Sequence, residues 1–228
     1  SSDLPVVSLL DYYWHPCRND LADEIAAGQP PAYIHWRRST NAIELLDLEQ
    51  ASLPWTHSEW QRGLFPAEYR DEFLVQHDGV DTRRLAVSEW HSRRAGPRSI
   101  AGRTIPDGTT VVSFVAQSLE RLRGFDRFWE IAGSLIRSNP NVLCVAAGDS
   151  LTRRGLDIEY HHRDLVVDLM RRAPLTDPDR LWLLGPCSTE VVRELLNASD
   201  VHLAPSRVYP VARSVFQAMS TGCVVIAS

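Results

Sequence analysis

The chain has 228 residues, 44% of them hydrophobic and 23% charged, which describes a packed protein of one large or two modest domains and excludes a disordered polymer. Its formal net charge of −5 argues against a nucleic-acid or anionic-membrane binder, since both want a net basic face. No apolar run approaches the roughly 18 residues of a membrane span, so no transmembrane segment is expected.

No signal peptide is visible. The chain begins at Ser1 and stops on an apolar strand, and it reads as a fragment open at both ends. Cys17, Cys144, Cys187 and Cys223 form no C-x-x-C pair, and Cys144 and Cys223 lie in apolar strand patterns. Free thiols in a reducing cytosol are expected. There is no Lys, so any cation that meets a phosphate must be Arg.

In chain order, Tyr12-Tyr13-Trp14 with His15 reads either as core or as a sugar-stacking group. His35 and His57 lie among Trp36, Trp55 and Trp60, and read as cleft-lining or as satisfied, partly buried side chains. Asn41 to Gln50, with Ile43, Leu45, Leu46 and Leu48 among acids, predicts an amphipathic helix. Phe73-Leu74-Val75-Gln76 predicts a short strand, and Asp78-Gly79 a turn. Gly96-Pro97, Gly102 and Pro106-Asp107-Gly108 mark a loop-rich linker over 96–109.

From Thr110 the pattern becomes regular. Strands are predicted at Val111–Val115, Val142–Ala147, Leu181–Leu184, Val201–Ala204 and Val224–Ala227. Helical spacing links Phe128, Ile131, Ala132, Leu135 and Ile136, and Tyr160 to Arg172 reads as a helix. Ser188 is placed to cap a helix running to Asn197, and another helix starts near Ala212. Apolar strands alternating with helices predict a doubly wound parallel sheet, with ligands at the carboxyl ends of its strands.

Three motifs in order carry a family resemblance. Phe65-Pro66 followed by His77-Asp78-Gly79-Val80-Asp81-Thr82 resembles an N/H-G-V/I-D turn. Phe114 to Phe125 resembles a VGRL…KG strand and loop, and Val201 to Ser228 resembles PS..EP.G....EAMA.G.PVVAS. These are motifs of the retaining, group-one (family four-like) glycosyltransferases of the GT-B fold, and the resemblance covers roughly Asp47 to Ser228. Trp55 to Thr82 and the Val201 region look closest to a bacterial branch. The fold so implied is α/β and GT-B-like. Residues 1–95 would be the C-terminal part of an N-terminal, acceptor-side α/β domain, and 96–109 the linker. Residues 110–228 would be a nucleotide-sugar-binding, Rossmann-like domain lacking its last elements.

The resemblance also implies site residues. A departing nucleoside diphosphate gathers negative charge, which a metal-free site must meet with cations and oriented N–H groups. The family's Arg after the first strand and its Lys six residues on correspond to Gln117 and Arg123. Arg123 can hold phosphate bidentately; the other reading is a solvated loop cation. Amides at the helix start near Arg213 and Ser214 would face the diphosphate. The family's paired glutamates fall on Tyr209 and Gln217; Gln217 keeps one acceptor oxygen for ribose hydroxyls, whereas Tyr209 cannot act as a carboxylate. Gly185, with Pro186 and Cys187, lies where the family's loop meets the base, or is a plain strand-to-helix turn.

Gly148-Asp149 lacks a G-x-G-x-x-G context, so no NAD site is expected. Adjacent His161-His162 make a poor metal pair, and Arg37-Arg38, Arg93-Arg94 and Arg171-Arg172 are scattered pairs rather than a nucleic-acid stripe.

The expected function is transfer of a hexose, with retention and without metal or other cofactor, from a nucleotide sugar to a hydroxyl of a glycan, a lipid-linked saccharide or a small molecule. The expected setting is the bacterial cytoplasm, with peripheral contact at the inner membrane face compatible. No catalytic residue is assigned. Losing the donor-site Arg and both Glu motivates a second reading, a non-catalytic binding module of the same fold. A nucleotide-sugar epimerase is a third.

Overall fold

The computed structural model describes residues 4–10, 12–15, 28, 30–85, 97–151, 164–206 and 212–228. These fall into two compact units, one ending at Gly79 and one beginning at Val80.

In the first unit, β1 (Val7–Leu9), β2 (Leu53–Thr56) and β3 (Leu74–Val75) form a parallel sheet in the order β1-β2-β3. Helix α1 (Pro31–Gln50) joins β1 to β2, and the short α2 (Glu59–Arg62) follows β2. The helix expected from Asn41 therefore begins ten residues earlier. Pro31 occupies the first turn, where a missing N–H is harmless and a fixed φ helps. Its buried face also departs from the apolar pattern. Tyr33, Arg37, Asn41 and Leu48 are buried, while Ile43 and Leu46 are each 61% exposed. Leu10, Leu48, Phe65 and Phe73 form the core, with Tyr13, Leu45 and Tyr69 against it. Phe73 thus serves the core rather than the strand expected over 73–76.

The second unit includes the stretch expected as a linker, and a hairpin forms there. Strands β4 (Ser99–Ile100) and β5 (Arg103–Thr104) make an antiparallel hairpin. Positive φ at Ala101 and Gly102 suits the tight two-residue turn. Ile100 and Ile105 are buried with Val111, Val145 and Leu195. Arg98 ties this edge down: its guanidinium donates to Asp200 Oδ2 and to the Ala198 carbonyl, each at 2.9 Å, and to the carbonyl of Thr109.

Five parallel strands then follow with helices between them. They are β6 (Thr110–Ser118), α3 (Phe125–Ser138), β7 (Val142–Asp149), α4 (Leu165–Arg172) and β8 (Leu181–Leu183). The chain continues through α5 (Thr189–Ala198), β9 (Val201–Ala204), α6 (Arg213–Ser220) and β10 (Val224–Ala227). The order is β10-β9-β6-β7-β8, so the sheet grows one way from β6 and then the other. One face packs Phe114, Phe128, Ile136 and Leu165; the other packs Val111, Val145, Trp182 and Leu195. This is the expected doubly wound, Rossmann-like layer structure.

Ser188 caps α5, accepting from Val191 N at 3.4 Å, and Asp164 caps α4, accepting from Val166 N at 2.8 Å. The expected helix from Tyr160 is seen from Leu165; Tyr160 to Arg163, His161 and His162 included, lies outside the described residues. Cys144, Cys187 and Cys223 form no disulfide among the described residues, and Cys17 lies outside them. Burial pushes the Cys144 thiol up to about 12, which makes it inert.

Candidate functional site at the topological switch point

In an open parallel sheet, ligands settle at the carboxyl ends of the strands where the growth direction reverses. Here that point lies between β6 and β9.

The end of β6 is irregular. Its register with β7 slips between Val115 and Ser118, and Gln117, inside the slip, is exposed. Ser118 turns inward, and its hydroxyl donates to Glu120 Oε1 at 2.8 Å. Glu120 is buried, and the same oxygen lies 3.7 Å from Arg123 Nε. The Arg123 side chain is 20% exposed. At that distance the attraction is electrostatic rather than a hydrogen bond, and it keeps the guanidinium beside the buried carboxylate.

The loop closes at Gly124, whose φ is 81°. A Cβ there would stand 2.5 Å from the Pro205 carbonyl carbon and 3.0 Å from Ser206 N. Only glycine lets the β6 loop lie against the backbone leaving β9. Arg123 is thereby held where the two strand ends meet. Phe125, fully buried beside Phe114 and Phe128, anchors the far side of the loop.

Neighbouring strand ends are laced to this loop. Leu119 N donates to Asp149 O, and Gly148 N to Gly185 O, each at 2.9 Å. Gly148 also has no room for a side chain, since a Cβ would come within 2.7 Å of Ala116 O. Gly185 has φ 71°, and a Cβ there would meet nothing within 4 Å.

After β9, α6 begins without a side-chain cap, because Ala212 has none to offer. Its leading amides therefore need another acceptor. Arg213 is exposed; Ser214 is buried, and its Oγ has no hydrogen-bond partner among the described residues. Gln217, one turn further on, is half-buried.

Topology thus brings Gln117, Arg123, Gly185, Arg213, Ser214 and Gln217 to the carboxyl side of one sheet. Tyr209 lies outside the described residues. Sequence reasoning missed Ser118 and Glu120, and it missed why residue 124 must be glycine. An acid three positions before Arg123 was the available signal. His202 was missed too. It is fully buried in β9, with Nδ1 3.1 Å from Ser113 Oγ, and burial lowers its pKa to about 4, so it is neutral at pH 7.

Among the described residues no three His, Cys, Asp or Glu side chains gather as a metal-ligand set. No helix among them is long and apolar enough to cross a membrane.

A family model described as "Glycosyl transferase family 4 group" matches residues 2–85, a stretch that takes in nearly all of the first unit. No curated protein sequence matches the chain. Among solved structures, HepE of Anabaena in complex with UDP and glucose is similar at 20% identity and TM-score 0.64, over 98% of this chain and 52% of that one. HepE in complex with UDP-glucose gives 19% and 0.65, over 98% and 53%. The sucrose-phosphate synthase of Thermosynechococcus elongatus gives 18% and 0.62, over 96% and 49%. The chain therefore spans about half the length of the structures it matches. At these identities the likeness shows the fold, which is GT-B-like α/β with a Rossmann-like parallel sheet.

Proposed function

We propose that the chain is part of a retaining, metal-independent glycosyltransferase that moves a hexose from a nucleotide sugar to a hydroxyl of a glycan, lipid-linked or small-molecule acceptor. The observation that carries this is Arg123, held by Glu120 and by the glycine-only contact of Gly124 at the switch point of a Rossmann-like sheet. The family model on the first unit and the UDP-glucose named with HepE support it.

In this reading Arg123 and the leading amides of α6, beside Arg213 and Ser214, offset charge on the departing diphosphate. Gln117 adds a neutral donor, worth roughly 0.5–1.5 kcal/mol against about 1.5–3 for a charged one. The Gln217 carboxamide accepts from the ribose, and Gly185 borders the base. The setting is cytoplasmic, with peripheral membrane contact where the acceptor is lipid-linked.

Calorimetric titration with UDP, GDP and ADP, without metal, tests this. One diphosphate should bind, and Arg123→Ala should abolish that binding. Binding of none of them would sink the donor-site reading. A non-catalytic module is the second reading, and Gln117 with Gln217 favours it: neither position supplies the charge that the resemblance calls for.

A further inference from the structure

The first unit holds a constellation that donor binding does not use. Tyr12 and Trp14 follow β1, His57 and Trp60 follow β2, and Asp78 follows β3, so all sit beyond the carboxyl ends of one parallel sheet. The Tyr12 and Trp14 rings meet edge to face at 4.6 Å, and Trp60, 42% exposed, lies 6.3 Å from Tyr12. His57 Nδ1 is 3.6 Å from Asp78 Oδ1.

Trp14 is fixed by Asn41, which accepts from Trp14 N at 2.8 Å and donates to Trp14 O at 3.0 Å. Over that ring lies Arg37, its guanidinium carbon 3.9 Å from the Trp14 centroid, 4.9 Å from that of Trp36 and 5.1 Å from that of Tyr33. Arg37 Nε donates to the Tyr33 hydroxyl at 2.8 Å. Arg37 is only 8% exposed, and no carboxylate among the described residues pairs with it.

A buried guanidinium without an acid is unfavourable. Aromatic faces offset part of that, but they engage its flat sides. The in-plane Nη edge, which takes carboxylates bidentately, is not used by the rings. Rings partly open to solvent, with polar groups beside them, are what a sugar stacks on.

We infer that the first unit binds an acidic oligosaccharide, one sugar stacking at Trp60 and Tyr12 beside His57 and Asp78, and a carboxylate-bearing sugar engaging Arg37. Arg37 stacks on Trp14, Trp14 meets Tyr12 and Tyr12 neighbours Trp60, and in this proposal the two ends of that series engage different sugars of one chain. As the acceptor of the proposed transfer this saccharide rests on that reading; its binding does not.

The test is calorimetric titration of the whole chain with a glucuronate-containing trisaccharide, its neutral glucose counterpart and its phosphorylated counterpart, with UDP titrated in parallel. The glucuronate form should bind at least about tenfold tighter than the neutral one. Arg37→Gln should remove that preference, Arg37→Lys should keep part of it, and Trp60→Ala should weaken both ligands. Equal affinity for glucuronate and neutral forms, or a preference unchanged in Arg37→Gln, would overturn the inference. Tighter binding of the phosphorylated form would overturn the carboxylate assignment. Circular dichroism checks that each variant folds; should Arg37→Gln not, the wild-type comparison and Trp60→Ala decide. UDP binding without saccharide binding sinks this inference alone, and the reverse sinks only the donor site.

Discussion

Gly124 lies so close to Pro205 that a Cβ would come within 2.5 Å of the Pro205 carbonyl carbon. Two loops distant in sequence are thus locked together by the absence of one methyl group. Gly124→Ala meets both a left-handed backbone and a rigid backbone neighbour. The expected loss in urea unfolding is at least about 3 kcal/mol. Nucleoside diphosphate binding should fall with it, because the turn carries Arg123. A stability change below about 1 kcal/mol would show that the loops can part without penalty.

Arg123 and Glu120 allow folding and binding to be separated. Arg123→Ala removes a cation from beside the buried Glu120 carboxylate, so some stability should be lost together with diphosphate affinity. Adding Glu120→Gln removes the buried charge and should return part of the stability while affinity stays low. Affinity returning with stability would mean that Arg123 acts only through folding. A double-mutant cycle on both readouts decides.

Legibility followed the physics of each segment. The five strands of the large sheet are short apolar runs flanked by turn residues, and their positions were readable because burial on both faces removes polar residues from the pattern. In the first unit β1 and β2 are short, and β2 contains Pro54, so no pattern emerged. Helix α1 was misjudged at its start because Arg37 and Asn41, not Ile43 and Leu46, face inward. The position of Arg123 was legible through the motif; its restraint by Glu120 was not, since burial of a loop carboxylate depends on tertiary packing. The Arg37 cage unites Trp14 with an α1 residue and leaves no local signature.

His202 should make the fold acid-sensitive. Burial lowers its folded pKa to about 4, against roughly 6.5 in an unfolded chain. The unfolded state therefore takes up a proton first. Stability is full above about pH 6.5 and is lost as pH falls toward 4, by up to about 3 kcal/mol. His202→Gln removes this contribution, so stability measured between pH 7 and 4 should fall less steeply than in the parent. Parallel profiles would show that His202 protonates equally well in both states.

The donor site itself can be pushed toward the charge pattern that the family resemblance expects. Gln117 is exposed on the irregular end of β6, and Gln217 is half-buried one turn into α6, so neither change disturbs the core. Gln117→Arg adds a charged donor for the diphosphate, and Gln217→Glu adds a carboxylate for the ribose hydroxyls. Each exchanges a neutral hydrogen bond for a charged one, a gain of about 1 kcal/mol. Together they should raise nucleoside diphosphate affinity about tenfold or more, and hexosyl transfer should rise in step if the chain belongs to an enzyme weakened at these positions. Tighter binding with no transfer, measured as glycoside product, would favour the non-catalytic reading. Unchanged binding would place the diphosphate elsewhere on the sheet.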